Sequence, residues 1–326
     1  MNNEENDIER QELARRVGKK GDRILMEYFD DIGLANKTNN EINDLINRLR
    51  ICGVDIKKVF SECGRDSTLK TRVDRNHAIA IVFRFFRELG IDVSKLLEEG
   101  KYNNEREQAV YLSFNKGVKR NETTSPTFAG EDVHAYAKEN GTLTDVYSLV
   151  HEISHTLYVQ NQFGEARMIL GEVIPQCMER MLDGYLIELA GRKGLDVDID
   201  ALKENIIKRR ISTAIDRFRM ASRIAKGEYK FASEKAEFSR YMLAQIYATK
   251  LTKMDKSIQK QRIFDFIEAL KSNDIQKAND AFDMQIGKEN TKERDRYVSD
   301  SIWNLQKDVL TFQENEVPKE QTTGVT

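Results

Sequence analysis

Proline is nearly absent from this chain: 3 of 326 residues, against roughly 5% in average proteins. That scarcity argues against a many-stranded β sandwich, which needs frequent Gly/Pro turns, and favours long helices. Cysteine is scarce too. Cys52, Cys63 and Cys177 are odd in number and lack CxxC spacing, so reduced thiols in a cytoplasmic location are expected rather than a disulfide scaffold. No charge of one sign dominates, since 52 Lys+Arg face 54 Asp+Glu for a formal −2. The basic excess of a nucleic-acid binder is missing, and no nucleic-acid partner is expected. Long apolar runs are missing as well. The longest uncharged one, Ala78–Phe83, falls far short of the roughly 20 residues that cross a bilayer, so no membrane partner is expected. The opening residues, MNNEENDIER, are acidic and polar and do not read as a secretory signal.

What the chain does contain is charge and helical periodicity. Charged residues make up 33% and aromatics 8%, a mixture that suits amphipathic helices. From Gln11 to about Leu97 the pattern is helical, with breaks near Gly33, Asn39–Asn40, Gly53, Gly64 and Gly90. His77–Leu89 (HAIAIVFRFFREL) is the most apolar stretch and reads as a core helix headed by His77, although its Ile, Val and Phe content leaves a strand open. Asn115–Gly141 reads as loop with a short strand around Thr127–Ala137, and helical periodicity then continues to about Phe312. Within Ala201–Lys226 an apolar stripe runs through Ile206, Ile211, Ile215 and Phe218. The opposite side, with Lys208, Arg209, Arg217 and Arg223, reads as a solvated face. No internal repeat is read at solenoid periods. The expected organisation is a disordered N-terminus (1–10), a helical subdomain (11–120), a catalytic domain (121–312) and a disordered tail (313–326).

Two of the four histidines, His151 and His155, bracket Glu152 in LVHEISHTLYV. On a helix, i and i+4 imidazoles share one face a turn apart and can bind one metal ion. Glu152 follows the first ligand directly, where a general base can act without occupying the metal. With so few histidines, roughly 0.005 chance occurrences are expected in a chain this long, so coincidence is a poor explanation. Thr142 and Asp145 resemble a capping box ahead of this helix. Val146, Leu149, Val150, Ile153 and Leu157 supply a face to bury it.

A catalytic zinc site wants three protein ligands and an open position. No histidine follows His155, so a carboxylate must supply the third. Glu172, in GEVIPQCMERMLDGYL, is the best candidate, with 16 residues between it and His155. That interval allows a turn near Asn161–Gly164 and a second helix whose first turn tolerates Pro175. Glu179, seven residues on, falls on nearly the same face and is expected, with Gln176, to orient the ligands. Glu165 is a weaker ligand candidate. His134, in GEDVHAYAK, is expected as an exposed loop residue or a substrate contact.

The stretch NGTLTDVYSLVHEISHTLY resembles the active-site helix of the oligopeptidase F and thimet oligopeptidase zinc peptidases, and EVIPQCME is similar to their second element. The resemblance implies a mostly α, gluzincin-like helical fold with at most a small β element before the active-site helix. It also implies one Zn2+ per chain on His151, His155 and Glu172, with Glu152 as base. EFSRYMLAQIYATKL resembles the family's tyrosine-rich helix, which implies that the Tyr241 hydroxyl steadies the tetrahedral intermediate. There are departures. Ser154 replaces the usual Gly, the interval to Glu172 is shorter, a downstream histidine is absent and Phe238 stands where a second tyrosine is expected. The chain resembles a shortened member. The expected activity is zinc-dependent hydrolysis of peptides; the alternatives are a regulatory protease cutting one protein partner and a non-catalytic, zinc-stabilised helical binding module.

Overall fold

The computed structural model describes residues 23, 34–65, 71–103, 108–124, 132–158, 165–228, 232–284, 286 and 291–316. The expected disordered residues 1–10, and nearly all of the helical stretch read from Gln11 to Gly33, lie outside them.

Among the described residues the fold is mostly helical with one small sheet of four strands. It opens with α1 (Leu34–Ile51) and α2 (Ile56–Arg65). The helix α1 runs straight through Asn39–Asn40, where a break was expected. Burial of Leu34, Leu45 and Leu49 outweighs the weak helix propensity of asparagine there. Next, α3 (Arg75–Glu88) begins at an Asp74 cap whose carboxylate accepts the Asn76 and His77 N–H groups. Its Ala78, Ile81, Val82, Phe85 and Phe86 are buried at helical spacing, so the apolar stretch is a core helix. His77 sits at its start with its ring against Asp74 at 2.6 Å.

After α4 (Ser94–Glu99), Gly100 at φ 70° turns the chain into the sheet. Strands β1 (Lys101–Asn103), β2 (Ala109–Asn115), β3 (Glu122–Thr124) and β4 (Val133–Lys138) lie in the order β1-β2-β4-β3. The β2/β4 pair is parallel, with Val110 opposite Val133, and the two edge strands run antiparallel. The strand expected around Thr127–Ala137 is present as β4 but starts at Val133, and 125–131 lie outside the described residues. Strands β1 and β2 were not anticipated, although β2 reads AVYLSFN with Val110 and Phe114 buried at strand spacing. Val133, Ala135 and Ala137 are buried beneath α5 (Thr144–Thr156).

The helical body follows: α6 (Glu165–Leu170), α7 (Val173–Gly191), α8 (Ile199–Ala225), α9 (Ala232–Thr252), α10 (Lys256–Lys271), α11 (Ile275–Ala281) and α12 (Thr291–Glu316). The helix α7 packs between α5 and α9, while α8 and α12 close over α1. The last helix reaches Glu316, so 313–316 are helical rather than the start of a tail. Cys52, Cys63 and Cys177 form no disulfide, and among the described residues no helix is long and apolar enough to cross a membrane.

Candidate metal centre

The helix α5 is buried nearly all round, with Val146, Leu149, Val150 and Ile153 fully inside. Each such side chain contributes roughly 1.5–3 kcal/mol of burial, which holds the helix rigidly. Asp145 anchors its start by accepting the backbone N–H groups of Asn140 and Gly141 at 2.8–3.0 Å. The expected capping box does not form: no side chain caps the start of the helix, and Asp145 instead ties down the loop ahead of Thr142. Ser154, the departure from glycine, is accommodated because its hydroxyl donates to the Val150 carbonyl at 2.6 Å.

His151 and His155 project from one face of α5 with Nε2 atoms 3.3 Å apart. Glu172 stands at the joint between α6 and α7, immediately ahead of the second helix, and Pro175 falls in that helix's first turn. Its carboxylate oxygens lie 3.5 Å from His151 Nε2 and 3.7 Å from His155 Nε2. Ligand atoms about 2.1 Å from a tetrahedral ion stand about 3.4 Å apart, so the three separations suit one ion among them. Glu172 Oε2 is buried with no hydrogen-bond partner among the described residues. Such an orphan is costly unless something cationic meets it. His151, His155 and Glu172 could thus hold a metal ion.

The far nitrogens are held as well. His151 Nδ1 donates to Glu179 at 2.8 Å, and Arg209 donates to the other Glu179 oxygen at 2.5 Å. His155 Nδ1 lies 2.8 Å from the Tyr158 oxygen, whose hydroxyl donates to the Gly171 carbonyl. With that hydroxyl committed, Nδ1 carries the proton and the Nε2 lone pair faces Glu172. Burial opposes charge on His151, but Glu172 and Glu179 outweigh it and lift its pKa to about 10. Burial drives His155 down to about 4, and the neighbouring His151 charge adds to this. Burial also opposes ionisation of Glu172, yet the two histidines hold it at about 2. His151 thus carries a positive charge between the carboxylates of Glu172 and Glu179.

Glu152 is buried, and Oε2 accepts from the Thr123 hydroxyl of β3 at 2.7 Å. Burial raises its pKa, while the His151 charge and the Thr123 bond pull it back. Tyr241, on α9, lies under the Arg217 guanidinium at 3.7 Å and interacts electrostatically with Tyr158.

Other expected residues do not join the cluster. Gln176 is buried on α7, but among the described residues its side chain makes no hydrogen bond to the three ligand candidates. Glu165 is exposed at the start of α6. His134 is a strand residue, not a loop one. It stacks on Tyr111 (4.9 Å) and Tyr136 (6.1 Å), alternating with the residues buried beneath α5. The turn at Asn161–Gly164 and the Phe238 side chain lie outside the described residues.

The solvated face expected on α8 is partly turned inward. Arg209 bonds Glu179 and lies 3.9 Å over the Tyr147 ring, and Arg217 covers Tyr241. Lys208 pairs with Glu204 and lies over Phe312. Thr123, Tyr158 and Arg209 went unrecognised as site residues. Tyr158 was within reach, three residues after His155 in the turn just past the end of α5.

No family model matches the chain, and no curated protein matches it in sequence. Two similar solved structures are the "BsuCP" crystal structure (14% identity, TM-score 0.45, 84% of this chain and 66% of that one) and a candidate peptidase from Chlamydophila abortus (13%, 0.44, 92% and 55%). The chain spans less than two-thirds of either neighbour's length, and at those scores neither bears on what this chain does.

Proposed function

We propose that this chain is a cytoplasmic, zinc-dependent peptidase of oligopeptides, with one zinc ion on His151, His155 and Glu172 and Glu152 as general base. The observation that carries the reading is the convergence of two imidazole nitrogens, 3.3 Å apart, on one carboxylate whose Oε2 lies 3.5 Å from His151 and whose Oε1 lies 3.7 Å from His155, with Oε2 buried and making no hydrogen bond among the described residues. Two imidazoles and a carboxylate form a nitrogen-rich set that suits zinc better than magnesium or calcium.

When bound, zinc supplies Lewis-acid chemistry, polarising the scissile carbonyl and acidifying water. Glu152, oriented by Thr123, takes a proton from the attacking water and delivers it to the leaving amine. Glu179 and Tyr158 keep the two imidazoles in the donor tautomer. Tyr241 is assigned to the developing oxyanion, where the Arg217 charge over its ring favours negative charge nearby. A peptide substrate is supported by β3, an edge strand carrying Thr123, because an extended chain can pair with such an edge beside Glu152.

The test is a pair of variants. Glu152→Gln should keep zinc and lose peptide cleavage, whereas His155→Ala should lose both. Full cleavage by Glu152→Gln overturns the proposal.

A further inference from the structure

Away from the metal centre, α7, α8, α9 and α12 enclose a cavity of about 210 Å³. Arg180, Arg210 and Lys307 line it against a single acid, Asp308. Arg210 is committed: Nε lies 2.7 Å from Asp183, and Nη1 lies 4.0 Å from Asp308. Arg180 is not. Its nearest carboxylate oxygen, on Asp183, is 3.9 Å away, and among the described residues its guanidinium makes no hydrogen bond. Yet the side chain is only 14% exposed. Beyond that one long ion pair the guanidinium fork keeps its donors without a hydrogen bond among the described residues, an arrangement that suits an oxyanion.

Two lining residues from other helices carry the same signature. Gln245 and Ser301 are 3% and 2% exposed, and Gln245 Oε1 and Ser301 Oγ have no hydrogen-bond partner among the described residues. A serine hydroxyl turns freely, and a glutamine amide can present either its oxygen or its NH2, so each can become a donor. The volume equals about seven waters at roughly 30 Å³ each, enough for a phosphate or a small carboxylate and too little for a nucleotide.

We infer that this cavity binds one small oxyanion, with Arg180 as principal donor and Ser301 and Gln245 completing its shell. The carboxylate and phosphate forms share this chemistry, and the experiment separates them.

Zinc-loaded full-length protein is titrated calorimetrically in chloride buffer with inorganic phosphate and, in parallel, with succinate. At least one saturates at one per chain, and the tighter of the two identifies the group. Arg180→Gln weakens binding at least tenfold without loss of zinc. Ser301→Ala weakens it severalfold, and decides the matter alone if Arg180→Gln does not fold. No saturable binding of either anion overturns the inference. So does binding that persists undiminished in the folded variants, since the anion then sits elsewhere, on the zinc included. Neither Arg180 nor Ser301 touches His151, His155 or Glu172, so this result and the peptidase test fail independently.

Discussion

Arg209 lies 2.5 Å from Glu179, and both side chains are largely buried. This pair governs the centre at one remove, because Glu179 also accepts from His151 Nδ1. Burial resists ionisation of Glu179, but Arg209 and His151 together hold its carboxyl far below the usual range. Replacing Arg209 by Met should leave that carboxylate short of a partner and loosen the imidazole. Zinc affinity is expected to fall about 10–100-fold, as for other losses behind a metal ligand. Chelator competition reads this directly; unchanged affinity would mean Arg209 has only a packing role.

Glu172 and Glu179 should differ in kind. Glu172→Ala removes a direct ligand candidate, whereas Glu179→Ala removes only the group behind one. Zinc content after dialysis should therefore fall further in Glu172→Ala. The reverse order would move the ligand to Glu179.

Thr123→Val tests the assignment of the base through pH. The Thr123 bond lowers the Glu152 pKa against the upward push of burial. A general base works unprotonated, so the rate climbs as pH rises through that pKa. Removing the bond raises the pKa, and the acid limb of the kcat/KM profile should move to higher pH with zinc content unchanged. A limb that stays in place would separate Glu152 from the proton transfer.

Asp145 bears on stability instead of chemistry. Fully buried, it accepts from two backbone N–H groups and the Asn140 amide at the head of α5. Asp145→Ala should lower the unfolding free energy by about 2 kcal/mol, measured by urea denaturation. A loss below about 0.5 kcal/mol would mean these buried hydrogen bonds contribute little.

What could be read in advance follows a physical divide. His151, Glu152 and His155 were legible because helical geometry alone joins i to i+4. Glu179 followed from the same periodicity, and the apolar face of α5 from its spacing. Thr123 was not legible, since it meets Glu152 only through the register of β3 on β4. Arg209 and Arg217 looked like solvent-facing charge because helical periodicity reports apolar stripes, not the buried acid or tyrosine across the interface. In α1, two asparagines suggested a break that burial of Leu45 and Leu49 overrides.

His151, His155 and Glu172 are proposed to share one ion. Zinc titration of the purified full chain, read by elemental analysis after gel filtration, addresses it most directly. One zinc per chain is expected in the parent protein and little or none in His155→Ala or Glu172→Ala. A full complement of zinc in both variants would contradict it.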